Sequence, residues 1–397
     1  MREALDRSKV FVVERPLDPD LEITRFVGEW IRRHGEQPAF FFRSPKRYPD
    51  FPVVMNLFKR SNLLASLRVD EENHLAELGD RMAQSGLRPE PQSALFTRQL
   101  RGLSELPALR HQPREPAPYL TSFITCLRQP DHGTINTGFY RTMIQGDRSA
   151  VIFMDARTHA HAIVKREWEV RGAVPVTMFV GGSPAHAVVA ASNLPDDLDS
   201  FEAACRLLQR RVPLFGDGYF PPAPADAEVV IHGHILPKVA PEGPFGEFKG
   251  YYCTPTRSPI LQVDAVRCRP DAHYLGLFCG KESGLTLMAL PNEILMYQSL
   301  RQRGFDIQDV RYPLVGLGEF ITLIRTPRPR PEIADAALEL DRRTKAVVVL
   351  EAFDDVLGDL STFDFGAVAT PYIKRQQPHG DRLALVVPRQ PQDHVEY

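Results

Sequence analysis

The run Pro241-Glu242-Gly243-Pro244-Phe245-Gly246-Glu247-Phe248-Lys249-Gly250-Tyr251-Tyr252 constrains this chain more than any other stretch. Three glycines and two prolines around two carboxyls exclude a helix or a regular strand. The backbone must turn there, and a turn can aim Glu242 and Glu247 into one pocket. Two acids in one apolar pocket need a cation, or one of them takes up a proton. Such a pair suits acid/base chemistry; on a solvated surface loop the same residues would be idle.

A second segment, Ile135-Asn136-Thr137-Gly138-Phe139-Tyr140-Arg141, offers the cation. Strand alternation sends Asn136 and Arg141, an odd number apart, to opposite faces. For both to reach one site the strand must bend or bulge near Gly138. The alternative use of Arg141 is a strand-end surface arginine.

Together these segments resemble the UbiD family of decarboxylases, which carries N-x-G-x-x-R and E-x-P-F-G-E-x-x-G-Y motifs. Here they read Asn136 to Arg141 and Glu242 to Tyr251. The resemblance extends to Leu17–Ile23 at a first helix start, to Pro52–Phe58 as a strand, and to Thr344–Val349 followed by Asp354-Asp355 in a C-terminal domain. It implies an α+β (mixed α/β) fold in three parts. An N-terminal α/β portion (1–110) precedes a central split β-barrel like that of flavin reductases (111–305). A shortened C-terminal α/β domain (306–397) follows, through which family members oligomerise, a dimer being the expectation.

The rest of the chain is compatible with that arrangement. A net charge of −2 points to neither nucleic acid nor an anionic membrane as partner. Cys126, Cys205, Cys253, Cys268 and Cys279 show no C-x-x-C spacing and read as reduced thiols, so a cytoplasmic location is expected. No apolar run approaches the ~20 residues of a membrane span. Residues 86–119 hold six prolines and read as a connector; 212–224 read as an irregular loop. Asp18 with Pro19 is expected to cap a helix closed by Gly35, Thr158 one running to Gly172, and Asn292 one ending at Gly304. Residues 38–42, 53–57, 176–180, 260–266 and 346–350 read as strands. There is no dinucleotide fingerprint and no phosphate loop.

The resemblance also implies a cofactor, prenylated FMN, bound with a divalent cation such as Mn²⁺ and often K⁺, and supplied by a flavin prenyltransferase. Loss of CO2 from an sp² carbon leaves a carbanion that no side chain can absorb. By analogy Arg141 pairs with the substrate carboxylate, Glu242 orients Arg141, and Glu247 returns the proton. Asn136, Thr137, Gly138, Phe139 and Arg141, with Thr158, His159, Ala191, Ser192, Cys279 and Lys345, are expected at the cofactor. Leu290 is a candidate for the substrate side. The metal ligands would be Asn136, His159, with His161 as competitor, and a carboxylate. Ungapped counting places that carboxylate at Ser200, so Asp199 is the nearest substitute and Glu202 the alternative. The expected activity is non-oxidative decarboxylation of an aromatic, heteroaromatic or α,β-unsaturated acid. The alternatives are the reverse carboxylation and a non-catalytic flavin-binding or assembly subunit.

Overall fold

The computed structural model describes residues 1–35, 37–353, 370–376 and 380–386; the Asp354-Asp355 pair lies outside them. The chain forms two compact units, Met1–Val69 with Gln84–Gly284, and Asp70–Ala83 with Leu285–Tyr397.

In the first unit, Val10–Val13, Ala39–Phe42, Val53–Met55 and Tyr274–Gly276 make a four-stranded sheet in that order. Helix α1 (Glu22–His34) sets Phe26 and Trp30 against Phe11 and Phe40. It closes at left-handed Gly35, as expected. Its start differs from expectation: Leu21 takes φ +69, and the Asp18 carboxylate accepts the Asp20 N–H instead of capping the helix.

The larger sheet of this unit holds eight strands along one path: β1 (Tyr119–Leu120), β2 (Ile124–Arg128), β3 (Ile135–Phe139), β4 (Thr142–Gly146), β5 (Ser149–Ile152), β6 (Val174–Gly181), β7 (Ala227–Glu242) and β8 (Thr256–Cys268). Their spatial order is β1-β4-β5-β8-β7-β6-β2-β3, with Arg98–Leu100 added to β8. β3 lies at one end of that order and β4 next to the other, yet only Tyr140 and Arg141 separate them in sequence. A chain covers at most ~3.6 Å per residue, so the sheet must curl until its ends nearly meet. The fold is thus mixed α/β around a curled antiparallel half-barrel, and Arg141 stands where the barrel fails to close.

Helix α2 (His159–Arg171) starts at Thr158, whose hydroxyl accepts the His161 N–H, and ends at left-handed Gly172, as the sequence predicts. Helices α3 (Pro184–Ala190) and α4 (Ser200–Leu208) carry His186 and Phe201, which pack edge-on and tilted against Phe179 of β6. The residues read as a connector form short strands at Glu90–Pro91 and Arg98–Leu100.

The second unit holds a five-stranded sheet ordered Asp309–Arg311, Ile321–Arg325, Ala346–Leu350, Gly380–Val386, Thr370–Gln376. Its inner three strands are parallel. The helix expected to begin at Asn292 instead runs Glu282–Gln302 and carries Pro291 within it. Asn292 donates its amide to the Met288 carbonyl, one turn back, rather than capping.

Two buried histidines make the first unit acid-sensitive. Burial pulls His186 down to about 3 and His111, held between the Thr24 and Thr121 hydroxyls, down to about 4. The unfolded chain takes up both protons below pH ~6.5 while the folded one refuses them, so stability is lost as pH falls from there toward the folded values. The expected cost by pH 4 is on the order of 2–3 kcal/mol per histidine. Urea midpoints measured from pH 7 to 4 should fall, and fall less in His186→Leu; equal slopes would remove His186 from this account.

Candidate active site

Glu242 is the last residue of β7, in register with Thr256 of β8. The strand therefore runs through Pro241 and Glu242, and the turn foreseen in the sequence begins at Gly243, with φ +87 and a cis peptide to Pro244. Residues 245–253 fold back as a small hairpin in which the Glu247 N–H donates to the Tyr251 carbonyl and the Cys253 N–H to the Phe245 carbonyl. The buried Glu115 carboxylate clamps this hairpin from outside. It accepts the N–H of His111 (2.7 Å), Gln112 (3.0 Å) and Gly246 (3.2 Å). Burial raises its pKa, while those three donors pull the other way.

Arg141 links both glutamates. Its Nε and Nη2 each donate to one Glu242 oxygen at 2.9 Å, and its Nη1 donates to Glu247 Oε1 at 2.5 Å. Nη2 also donates to Cys253 Sγ at 3.3 Å. The guanidinium lies 4.0 Å over the Phe153 ring and 5.1 Å from that of Phe245. Burial works against its charge, but the Glu242 hydrogen bonds and charge prevail, and its pKa stands above the ordinary arginine value. Glu242 is wholly buried, whereas Glu247 keeps 23% of its side-chain surface.

The two acids are not equivalent. Glu242 Oε1 also accepts the Tyr119 hydroxyl at 3.1 Å, so its carboxylate takes three side-chain donors. Burial and then the Glu242 charge push the Tyr119 pKa up, which keeps the phenol a donor. Glu247 takes one side-chain donor, and its Oε2 accepts no hydrogen bond among the described residues. Arg141 spends four of its five N–H donors, and the fifth is on Nη1, the nitrogen that touches Glu247. A carboxylate met by that hydrogen would stand next to the free Glu247 oxygen. Cys279 completes the apolar wall with Tyr119, Met143, Val151 and Phe245; burial and then Glu247 push its thiol up to about 12.

The Asn136–Phe139 segment stays in unbroken register with β2, so the expected bend does not occur at Gly138 but at Tyr140 and Arg141. Gly138 is required for another reason: a Cβ there would lie 2.7 Å from the Tyr140 ring that folds across it. Asn136 and Gly138 face the same side as Leu127 and Thr125, while Thr137 and Phe139 face the other with Cys126 and Ile124. His159, first residue of α2, points Nδ1 at Asp196 Oδ1 across 3.2 Å. Asp199, expected as a metal ligand, spends its carboxylate on backbone. Oδ1 accepts the Phe201 and Glu202 N–H groups and Oδ2 that of Ile135. Ala191 is the C-cap of α3, and Ser192 returns its hydroxyl to the Val188 carbonyl. Lys345 belongs to the second unit, where its N–H donates to Phe320, and Leu290 is fully buried there. Tyr119 and Glu115 escaped the sequence reading because each reaches the site from a part of the chain without a motif, and Cys253 because it follows the motif as an ordinary reduced thiol.

A family model described as the 3-octaprenyl-4-hydroxybenzoate carboxy-lyase Rift-related domain matches residues 89–282, and that for the N-terminal domain of the same enzyme matches residues 6–82. Among solved structures, an evolved dimeric form of the UbiD-class enzyme HmfF from Pelotomaculum thermopropionicum, in complex with prFMN, is similar at TM-score 0.86 and 23% identity, over 97% of this chain and 93% of that one. The apo 3,4-dihydroxybenzoic acid decarboxylase of Enterobacter cloacae follows at 0.85 and 20%, over 100% and 96%. The open form of vanillic acid decarboxylase from Sedimentibacter hydroxybenzoicus gives 0.84 and 20%, over 100% and 94%. No helix among the described residues is long and apolar enough to cross a membrane. With both family domains matched along the chain and the Arg141 bridge where their motifs meet, this protein belongs to the UbiD family.

Proposed function

We propose that this chain is a non-oxidative decarboxylase of an aromatic, heteroaromatic or α,β-unsaturated carboxylic acid, working with prenylated FMN. The observation that carries this reading is the unequal pair of acids on one buried guanidinium. Glu242, wholly buried and bound by three side-chain donors from Arg141 and Tyr119, holds Arg141 in place. Arg141 keeps one N–H for the substrate carboxylate. Glu247, with a free oxygen beside that N–H, receives and returns the proton. Phe153, Phe245 and Cys279 keep water from this step.

The organic part of the cofactor fits the residues present. The Thr137 hydroxyl is buried without a hydrogen-bond partner, on the face of β3 opposite the Tyr140 ring, and a ligand's polar group there would satisfy it. When bound, prenylated FMN supplies the electron sink for the carbanion that CO2 loss leaves. The divalent cation fits less well, because the Asp199 carboxylate is engaged by three N–H groups. Delivery of the cofactor by a flavin prenyltransferase and assembly as a homodimer belong to the same proposal.

The test is CO2 release by protein reconstituted with prenylated FMN, over a panel of cinnamates, hydroxybenzoates and heteroaromatic acids. Release from one class, abolished in Arg141→Met, is the expected result. Cofactor uptake with neither CO2 release nor carboxylation in bicarbonate would instead favour a non-catalytic flavin-binding subunit, the reading that the engaged Asp199 supports.

A further inference from the structure

We infer that the turn from Pro195 to Glu202 closes the open edge of β3 instead of seating a divalent cation, so that this chain holds a flavin phosphate without one. The inference rests on the flavin-binding reading above and changes what that site requires.

β3 is the last strand of its sheet, and alternate N–H groups on its outer edge have no strand to meet. Two consecutive side chains of the turn supply the missing acceptors. Asp199 Oδ2 takes the Ile135 N–H at 2.7 Å, and Ser200 Oγ takes the Thr137 N–H at 3.1 Å. Thr134 adds a third tie, its hydroxyl donating to the Asp196 carbonyl at 3.0 Å. The spacing of two along β3 is that of edge N–H groups in an antiparallel ladder, so residues 199 and 200 mimic a paired strand.

The same turn starts α4. Asp199 Oδ1 accepts the Phe201 and Glu202 N–H groups at 2.8 and 3.2 Å. One carboxylate thus satisfies three backbone donors and welds α4 to β3. The other acids nearby are turned elsewhere. Asp196 Oδ1 accepts the Gln129 amide at 3.0 Å and faces His159, and Glu202 pairs with Arg206 at 2.8 Å. Asp197 is exposed and points to no described partner. Hard divalent cations need several oxygens converging on one point. Here Ser200 stands where the family pattern would put a carboxylate, and its hydroxyl is already an acceptor for backbone. Pulling Asp199 away to a cation would strip three partly buried N–H groups, one on the strand and two on the helix, of their partner.

The test uses the purified full chain with FMN and Mn²⁺ as probes and needs no turnover. FMN affinity, read by fluorescence quenching, is expected to agree within about twofold in EDTA and in excess Mn²⁺. Titration by electron paramagnetic resonance is expected to show free Mn²⁺ from the first addition, with or without FMN. Asp199→Asn, which keeps an oxygen for the cap, should leave FMN affinity unchanged, whereas Asp199→Ala should lower the melting temperature and speed amide exchange at Ile135 and Phe201. Stoichiometric Mn²⁺ uptake, or FMN affinity raised about tenfold or more by Mn²⁺ and lost in Asp199→Asn, would overturn the inference. Failure of FMN to bind in either buffer would strike the flavin reading itself, while the Mn²⁺ titration would still decide whether a cation seat exists.

Discussion

Arg141→Met is expected to destabilise the first unit by about 3–5 kcal/mol, because it leaves the Glu242 charge buried with no cation beside it. Glu242 has no exposed side-chain surface, and two of its three donors come from Arg141. The Tyr119 hydroxyl alone cannot replace a guanidinium. Arg141→Lys should recover only part of the loss, since a single ammonium cannot fork onto both Glu242 oxygens and also reach Glu247. The diagnostic result is the double variant Arg141→Met with Glu242→Gln. Removing both charges removes the uncompensated one, so urea denaturation at pH 7 should find the double variant more stable than Arg141→Met alone. A single variant that loses less than about 1 kcal/mol would mean that Glu242 is solvated, and the bridge would then be an ordinary surface contact.

Glu247→Gln is expected to lower turnover by about 10²–10⁴-fold while flavin affinity stays near that of the parent. The amide keeps an oxygen for Arg141 Nη1 but cannot hold or release the proton. The split between binding and rate is what separates a proton carrier from a positioning residue. Cofactor loading measured by the visible spectrum, together with single-turnover CO2 release, gives both numbers. Near-parent turnover in fully loaded Glu247→Gln would remove Glu247 from the chemistry and shift attention to Tyr119 or a bound water.

Much of the site was readable from two short segments because each carries its chemistry locally. Glycines and prolines around Glu242 and Glu247 forced a turn, and that turn does begin directly after Glu242. Arg141 was placed beside both acids by the need for a cation, and there it stands. The reason for Gly138 was misjudged. Strand periodicity called for a bend at the glycine, but the barrel itself provides the bend at Tyr140 and Arg141, where the chain passes from one end of the curled sheet to the other. Gly138 instead makes room for the Tyr140 ring. Periodicity within one strand carries no information about how a whole sheet curls.

Contacts between distant segments were equally out of reach. Tyr119 and Glu242 lie 123 positions apart, and Cys253 and Arg141 lie 112 apart. Nothing near Tyr119 in sequence marks it as a donor. Helix ends behaved similarly. Thr158 and Gly172 were legible because cap and terminator act within a turn of themselves. The helix start expected at Asn292 lies ten residues earlier, at Glu282, because the apolar run from Leu285 carries the helix through Pro291. Asp199 was assigned to a cation by analogy of position. Its actual partners are N–H groups on β3 and α4, a demand that arises only once β3 is known to be an edge strand.

Solvent-deuterium exchange tests the central claim most directly, because it follows the proton and does not require net CO2 loss. Protein loaded with prenylated FMN is incubated in deuterated buffer with the decarboxylated product of any active substrate, and deuterium at the former carboxylate carbon is followed by NMR. The account predicts exchange in the parent and its collapse by about two orders of magnitude or more in Glu247→Gln, with the flavin still bound. Exchange of equal rate in both proteins would contradict it.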